Sequence, residues 1–335
     1  MNDVAAAESA FAAAIKILQD LTTRFPTKSA YRNELALALS DRCLFERLAG
    51  RLKAAAATID RAIKLLEATD RMPGETEYQR NLTMSLLELD GAEVAYRRGQ
   101  FVDFETYSKR ANDLLDSLKS AKNATHNPAE PIFQVIAISH WSMAERELGK
   151  IAEALAHHEA AVAITKGLTT PKANRDIYYQ VCDVRTERAR TWALIPERRG
   201  AAADDLIEVI KFAEKLVEDN PSLAMYRTLL ANASLRRGEL LTLLGKPDDA
   251  IAELTKSMAV SRILLDRHGN LADSLLVRGE SYLALAAARV AAGKTTEAVA
   301  AFKSANNVMK IAISVDPDNI HVRRALAAAQ KAAGE

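Results

Sequence analysis

Residues 271–318 read LADSLLVRGESYLALAAARVAAGKTTEAVAAFKSANNVMKIAISVDPD. Apolar residues recur here at helical spacing in two runs, which Gly293 separates and Pro317 ends. Three small side chains stand at fixed distances from that glycine: Ala286, Ala298 and Ala305. Since the contact residues set the distance between packed helices, small ones allow a close approach. The stretch therefore predicts two antiparallel helices, which we call helix A and helix B, joined by a tight turn.

The same pattern recurs along the chain at a nearly constant interval. The predicted turns lie 45 to 51 residues apart, at Gly50, Gly99, Gly149, Gly200, Gly245 and Gly293. Fifteen of the eighteen equivalent positions around them carry Ala, Gly, Ser or Cys; the exceptions are Phe104, Asp205 and Phe212. The segment 192–200 predicts a distorted turn. A fixed period in this range is typical of stacked repeat proteins.

Helix-breaking residues divide the chain into repeats, because proline removes an amide donor and clashes with the preceding helical turn. They are Pro26, Pro73–Gly74, Pro128, Pro131, Pro171, Asn220–Pro221, Gly269–Asn270 and Pro317. We predict one domain over 1–335, composed of a half repeat at 4–26, repeats at 29–73, 75–128, 131–171, 172–221, 222–270 and 271–318, and a capping helix at 319–333. The apolar first helix, with Phe11, Ile15 and Ile17, has three interpretations: a cap, the start of the repeat portion of a longer parent, or a surface covered by a second copy.

The two units at 222–270 and 271–318 resemble the tetratricopeptide repeat (TPR) family, which has three small positions and a proline closing the second helix. The resemblance implies an all-α, right-handed α-solenoid of antiparallel helix pairs with about fourteen helices. The units depart from the family in length, since about 48 residues replace the usual ~34. The long unit resembles repeat regions attached to bacterial signalling proteins.

Composition narrows the class of protein. The chain carries 45 basic and 44 acidic residues, a net charge of +1, which argues against nucleic acid as a partner because phosphate binding needs a basic face. Two distant cysteines, Cys43 and Cys182, indicate a reducing compartment. Neither a signal peptide nor a membrane span is predicted, so we expect a cytoplasmic protein with no membrane partner. The high alanine content is typical of a bacterial protein.

No catalytic motif or metal-ligand spacing stands out, so we predict a protein that is not an enzyme and needs no cofactor or metal. His140, His157 and His158 do not follow a chelating pattern, because adjacent helical residues point about 100° apart. Trp141 and Trp192 both precede a small helix A position in the glycine register. Their equivalence predicts packing between repeats.

In the family that the chain resembles, helix A lines the concave face and binds peptides or partner proteins. Carried over by the turn register, the positions on this face are Asp41, Leu44, Arg47, Asp90, Glu93, Tyr96, His140, Met143, Arg146, Asn232, Arg236, Glu239, Glu280 and Leu283. The polar ones and Tyr96 are the main candidate binding residues. The 172–221 repeat is too irregular to place in that register. We therefore predict a non-catalytic scaffold that binds a protein or peptide. A small-molecule or signal-peptide sensor with an internal pocket is the alternative, and a homodimer through the half repeat is a further hypothesis.

Overall fold

The computed structural model describes residues 2–68, 75–121, 125–168, 175–268 and 272–333. These residues form fourteen α-helices and no β-strand, which confirms the predicted all-α fold class. The helices are α1 (Asn2–Arg24), α2 (Ser29–Leu48), α3 (Leu52–Glu67), α4 (Glu77–Arg98), α5 (Phe101–Leu118), α6 (Glu130–Glu147), α7 (Ile151–Leu168), α8 (Arg175–Ala193), α9 (Arg199–Asp219), α10 (Ala224–Leu243), α11 (Pro247–His268), α12 (Ala272–Ala291), α13 (Thr295–Val315) and α14 (Ile320–Ala333).

The helices alternate between the two kinds that the sequence predicts. The A helices are α2, α4, α6, α8, α10 and α12, and each is followed by its B helix; α1 and α14 lie outside the six pairs. Within α1–α5 and within α7–α14 each helix packs mainly on its chain neighbours, and A helices also contact the next A helix, as in α8 with α10 and α10 with α12. The predicted breakers at Pro73–Gly74, Pro171 and Gly269–Asn270 lie outside the described residues.

Contacts divide the chain into two compact units, Met1–Ala144 and Glu145–Glu335, which we call unit 1 and unit 2. The core of unit 1 gathers Leu35, Leu39, Ile59 and Leu66 of the first helix pair. Unit 2 contains two large clusters, one around Leu206 and one around Leu254. The assignment of 1–335 to one domain, with its repeat bounds, stays a prediction.

Five of the six predicted glycine turns adopt the left-handed backbone that a residue with a Cβ avoids. Their φ angles are 71° to 78°, at Gly50, Gly99, Gly149, Gly245 and Gly293. At Gly293 the glycine N–H donates to Val290 O at 3.0 Å and the Lys294 N–H donates to Arg289 O at 2.8 Å. These bonds satisfy the last carbonyls of helix A and reverse the chain within a few residues.

Gly200 is the exception, and its prediction as a turn was wrong. It lies in the first turn of α9, with no left-handed φ. The chain reverses earlier, through a 3₁₀ turn at Pro196–Arg198. Pro196 holds its own φ, and it forces Ile195 into an extended conformation with φ −111° and ψ 103°. The expected distortion of segment 192–200 is thereby confirmed.

The early turn shifts every small position of this repeat toward the N-terminus. Ala189 is fully buried, whereas Ala193 is half-exposed. On helix B, Ala202 and Val209 are fully buried and Phe212 is 42% exposed. The equivalent positions are therefore Ala189, Ala202 and Val209, three to four residues before those that Gly200 predicts. The corrected register thus replaces Asp205 by the small residue Ala202, whereas the third position still holds a larger side chain, that of Val209.

Small residues set the close helix contacts where the register holds. A Cβ placed on Gly238 of α10 would lie 2.4 Å from Leu254 Cγ of α11. Leu254 is fully buried, so its side chain fills the space that the glycine leaves. Phe104 is accommodated differently, since it packs among Ala92, Ala95 and Ala144.

Within the residues that the structure describes, no helix combines the length and apolarity that a membrane crossing requires.

Candidate partner-binding surface

In unit 1, the predicted residues converge on one carboxylate. Arg47 Nη1 donates to Glu93 Oε1 at 2.8 Å, and Arg97 Nε donates to the same oxygen at 2.9 Å. His140 Nε2 lies 3.9 Å from Glu93 Oε2. Burial by itself would raise the pKa of Glu93, but the two guanidiniums hold it well below its usual range. The carboxylate is therefore ionised and fixed between α2, α4 and α6.

Other predicted residues of unit 1 have different surroundings. The Ser40 hydroxyl donates to Asp90 Oδ2, and burial raises the pKa of that carboxyl despite the bond. Tyr96 packs against Phe104 with ring centroids 5.0 Å apart, so this tyrosine belongs largely to the aromatic core. Asp41 is exposed. The structure thus groups Arg47, Glu93 and His140 and leaves Asp41 on the open surface.

In unit 2, Arg146 binds a carboxylate that the sequence did not single out. Arg146 Nη2 lies 2.9 Å from Glu187 Oε2, and Arg190 Nη1 donates to that oxygen at 3.1 Å. Burial raises the pKa of Glu187, but Arg190 and Arg146 together hold it well below its usual range. Sequence reasoning missed Glu187 and Arg190 because it could not place the irregular 172–221 repeat in the glycine register. Pro196 and the small residue Ala189 were the signals that could have placed them.

A second cluster in unit 2 centres on Arg236, which the sequence did predict. Its guanidinium donates to Asn232 Oδ1 at 3.1 Å, Glu239 Oε2 at 3.1 Å and Glu280 Oε2 at 2.6 Å. Burial raises the pKa of Glu280, but Arg236 and Arg190 together outweigh burial and the net shift is downward. The predicted residues Asn232, Arg236 and Glu239 therefore meet on α10, and Arg236 joins them to the predicted Glu280 on the next A helix, α12.

The two clusters of unit 2, around Glu187 and around Arg236, border a cavity of about 270 Å³. Arg190, Glu239 and Glu280 supply charge to its lining, and Leu283 supplies an apolar wall. Also in its lining, Arg324 Nη1 of α14 donates to Glu147 Oε2 at the end of α6, at 2.9 Å. The volume lies just below the ~300–1,000 Å³ of drug-sized ligand pockets, so it suits one side chain or chain terminus.

His321 also lines this cavity. Burial, followed by the positive charge of Arg190, lowers the pKa of His321 to about 4. The ring is therefore neutral at physiological pH and adds no charge to the cavity. We call the five residues Glu187, Arg190, Arg236, Glu239 and Glu280, with this cavity, the A-helix surface of unit 2.

The remaining histidines and tryptophans have structural surroundings. His157 Nδ1 lies 2.7 Å from Glu145 Oε2, and the buried ring of His158 has its pKa lowered to about 3, first by burial and then by Arg146. Among the described residues no group of three His, Cys, Asp or Glu side chains could hold a metal ion.

The predicted equivalence of Trp141 and Trp192 was wrong, because the corrected register moves Trp192 to three residues after the small position. Trp192 is buried beneath the guanidinium of Arg188, at 4.3 Å from the ring centroid. Trp141 is half-exposed, with the Lys109 ammonium 6.0 Å away.

Comparison with known proteins shows the fold. No protein-family model and no curated protein matches the chain. The chain is similar to BtubC from P. vanneervenii, at 15% identity and a TM-score of 0.54 over 77% of this chain and 90% of that one. It is similar to a Rap protein complexed with competence and sporulation factor, at 12% identity and a TM-score of 0.52 over 95% and 80%. Aspartyl phosphate phosphatase F from Bacillus subtilis matches at 14% identity and a TM-score of 0.50 over 94% and 72%.

The fold is TPR-like. Solved structures of this kind are helical solenoids, and the alternating A and B helices of the present chain follow the same arrangement.

Proposed function

We propose that this chain is a non-catalytic scaffold that binds a protein or peptide partner through its A helices, chiefly at the A-helix surface of unit 2. The observation that carries the proposal is the convergence of Asn232, Arg236 and Glu239 with Glu280 beside a cavity that has one apolar wall. Charged side chains held by their neighbours are preorganised, so little conformational entropy is lost when a partner binds them.

The charge pattern indicates what kind of segment would bind. Together with the neighbouring Arg146, the surface and its cavity carry arginines at 146, 190, 236 and 324 and carboxylates at 147, 187, 239 and 280. Four charges of each sign leave no net charge, so a segment with both acidic and basic groups is complementary. The apolar wall at Leu283 would receive one apolar side chain, which would anchor the segment.

We also propose a repeat type, a domain extent and a cellular role for this chain. Successive A-type helices, from α2 at Ser29 to α14 at Ile320, begin 45 to 53 residues apart, which supports a long-unit variant of the TPR. We assign the chain to one solenoid domain over 1–335, and to the repeat region of a cytoplasmic bacterial signalling protein. The similarity to a Rap protein solved with the competence and sporulation factor supports a signalling role.

Selection from a displayed peptide library tests the binding function. Peptides selected on the wild-type chain are expected to lose affinity for Leu283→Lys by at least tenfold, because the change places a charge on the apolar wall. Leu243→Lys is the matched control, since Leu243 is exposed on α10 and lies outside the cavity. A library that yields no binder, or binders equally sensitive to both variants, would contradict the proposal.

The cavity itself favours a second candidate function, a sensor for a small molecule or a short signal peptide. The Glu147–Arg324 ion pair forms part of its lining, so a compact ligand would meet both a carboxylate and a guanidinium there. Thermal unfolding with peptides of decreasing length separates the two functions. A sensor is stabilised fully by the shortest peptide that fills the cavity, whereas a scaffold needs a longer segment.

A homodimer through the half repeat is the remaining proposal, and the structure identifies the residue that tests it. Ile17 of α1 is 60% exposed, whereas Ile15 is buried in the unit 1 core. Light scattering should show a dimer for the wild-type chain and a monomer for Ile17→Ser, with unchanged helix content. A monomeric wild type would exclude this dimer.

A further inference from the structure

The A-type helices of unit 2 surround the cavity of the A-helix surface. The lining takes at least one residue from each of α6, α8, α10, α12 and α14. α8 packs on α10, α10 on α12 and α12 on α14. The end of α6 supplies the two remaining joints as ion pairs, Arg146 with Glu187 of α8 and Glu147 with Arg324 of α14. The five helices thus form a closed ring, although Glu147 and Arg324 are 177 residues apart in the sequence.

The two ion-pair joints of this ring differ in exposure. The side chains of Arg146 and Glu187 are 6% and 7% exposed, whereas that of Arg324 is 54% exposed and that of Glu147 16%. An exposed ion pair changes an equilibrium by no more than about fivefold, and salt screens it. Each repeat of a solenoid contacts only its neighbours, so small changes at several repeats add up. The ring therefore opens most easily between α6 and α14.

Glu147 depends on Arg324 for its hydrogen bond. Within the part of the chain that the structure describes, Glu147 accepts a side-chain hydrogen bond from Arg324 and from no other residue. Arg190 and Arg236 are held by carboxylates of α8, α10 and α12. When the ring opens, Glu147 loses its donor. The Lys or Arg side chain of a partner can then replace it with a charge-assisted hydrogen bond.

We propose that the Glu147–Arg324 pair is a clasp that closes the ring of A-type helices, and that a basic side chain of the bound segment replaces Arg324 at Glu147. The clasp is a property of unit 2 alone, whereas the replacement rests on the proposed function of the A-helix surface. Arg324 and the partner compete for one carboxylate, so binding shifts the ring towards its open form. The basic group of the segment therefore lies at the α6 end of the cavity.

A distance measured between two spin labels tests the clasp without any partner. Ala152→Cys on α7 and Ala328→Cys on α14 place the labels at exposed positions on the two sides of the joint. The native thiols of Cys43 and Cys182 are buried, so the reagent labels the two introduced cysteines. Pulsed electron paramagnetic resonance then gives the distribution of distances between the labels.

The doubly labelled chain should show one main distance, that of the closed ring. In Arg324→Gln a population at longer distance should rise by up to about fivefold, because the ion pair is lost. Raising the salt concentration to about 1 M should have the same effect on the wild-type arginine and none on the variant. Lys331→Gln is the matched control, since it removes an exposed positive charge from α14 outside the cavity lining.

Peptides selected on the wild-type chain test the replacement. Arg324→Gln should raise the affinity of peptides with a basic residue by up to about fivefold, because the competing guanidinium is gone. Glu147→Gln opens the ring as far but should not raise the affinity, because the carboxylate that the peptide would bind is missing. The gain in Arg324→Gln should disappear when the basic residues of the peptide are changed to glutamine.

The outcomes separate the clasp from the proposed function. An unchanged distance distribution in Arg324→Gln would overturn the clasp, even where peptides bind. A longer distance in a chain that binds no peptide supports the clasp and contradicts the proposed function. Equal gains in affinity for Arg324→Gln and Glu147→Gln would overturn the replacement at Glu147. Circular dichroism of every variant must show wild-type helix content.

Discussion

Alanine substitution at two glycines tests the corrected turn between α8 and α9. Gly200 and Gly245 occupy the same position in the sequence pattern, but the structure gives them opposite backbones. Gly245 has a φ of 72°, whereas Gly200 is helical. A Cβ at either position would meet nothing within 4 Å, so side-chain crowding contributes to neither variant. The backbone alone decides whether each variant gains or loses stability.

The expected difference follows from that backbone. Alanine in the left-handed region costs about 1–2 kcal/mol, so Gly245→Ala should lower the free energy of unfolding by that amount. Alanine in a helix is favoured over glycine by up to about 1 kcal/mol, and by less in the first turn, where Gly200 lies. The two variants should therefore differ by about 2 kcal/mol, with Gly200→Ala the more stable.

Thermal unfolding followed by circular dichroism measures this difference. Both glycines belong to unit 2, Glu145–Glu335, and a cooperative unit of this size shifts by about 2–4 °C per kcal/mol. The midpoints should therefore be separated by about 4–8 °C. If Gly200→Ala lowers the midpoint as much as Gly245→Ala does, Gly200 has a left-handed backbone and the register derived from Ala189 is wrong.

Three further predictions concern buried groups. Gly238→Ala should lower the free energy of unfolding by about 1–2 kcal/mol, since the added Cβ lies 2.4 Å from Leu254 Cγ, and urea unfolding should show that Leu254→Ala costs less in that background. Burial raises the pKa of Glu88 from 4.5 to about 7, so the folded state binds this proton more tightly than the unfolded state does. The free energy of unfolding, relative to that of Glu88→Gln, should therefore fall by about 3 kcal/mol as the pH rises from 4.5 through 7. A difference between the two proteins that does not change with pH would contradict this. Burial raises the pKa of Cys43 and Cys182 to about 12, so a thiol reagent at mildly alkaline pH should label both only after denaturation.

The helix pairs could be predicted because their signals are local. Gly293 adopts a left-handed backbone, and the buried small residues Ala298 and Ala305 follow it within twelve positions, so one short stretch of sequence contains the whole signal. The failure at Gly200 is also physical. A glycine at the expected interval is compatible with a turn but does not require one, and Pro196 had already reversed the chain. Only the burial of Ala189 and Ala202 identifies which residues face the core.

The contacts of the candidate surface could be predicted from the sequence only in part. Arg236 and Glu239 could be found because the glycine turn at Gly245 fixes their place on helix A. The bonds of Arg236 to Glu280 and of Arg146 to Glu187 join residues more than forty positions apart. Such pairs depend on how far one A helix is displaced along the next, which no local pattern records.

The sequence by itself determined the all-α class, the alternation of A and B helices and five of the six glycine turns, because helical periodicity, glycine and proline act within a few residues. Only the tertiary structure decided the register of α8 and α9, the ion pairs of the A-helix surface and the cavity beside them. Each of these arises where side chains from different helices share one buried volume, and the packing of that volume is a property of the assembled helices.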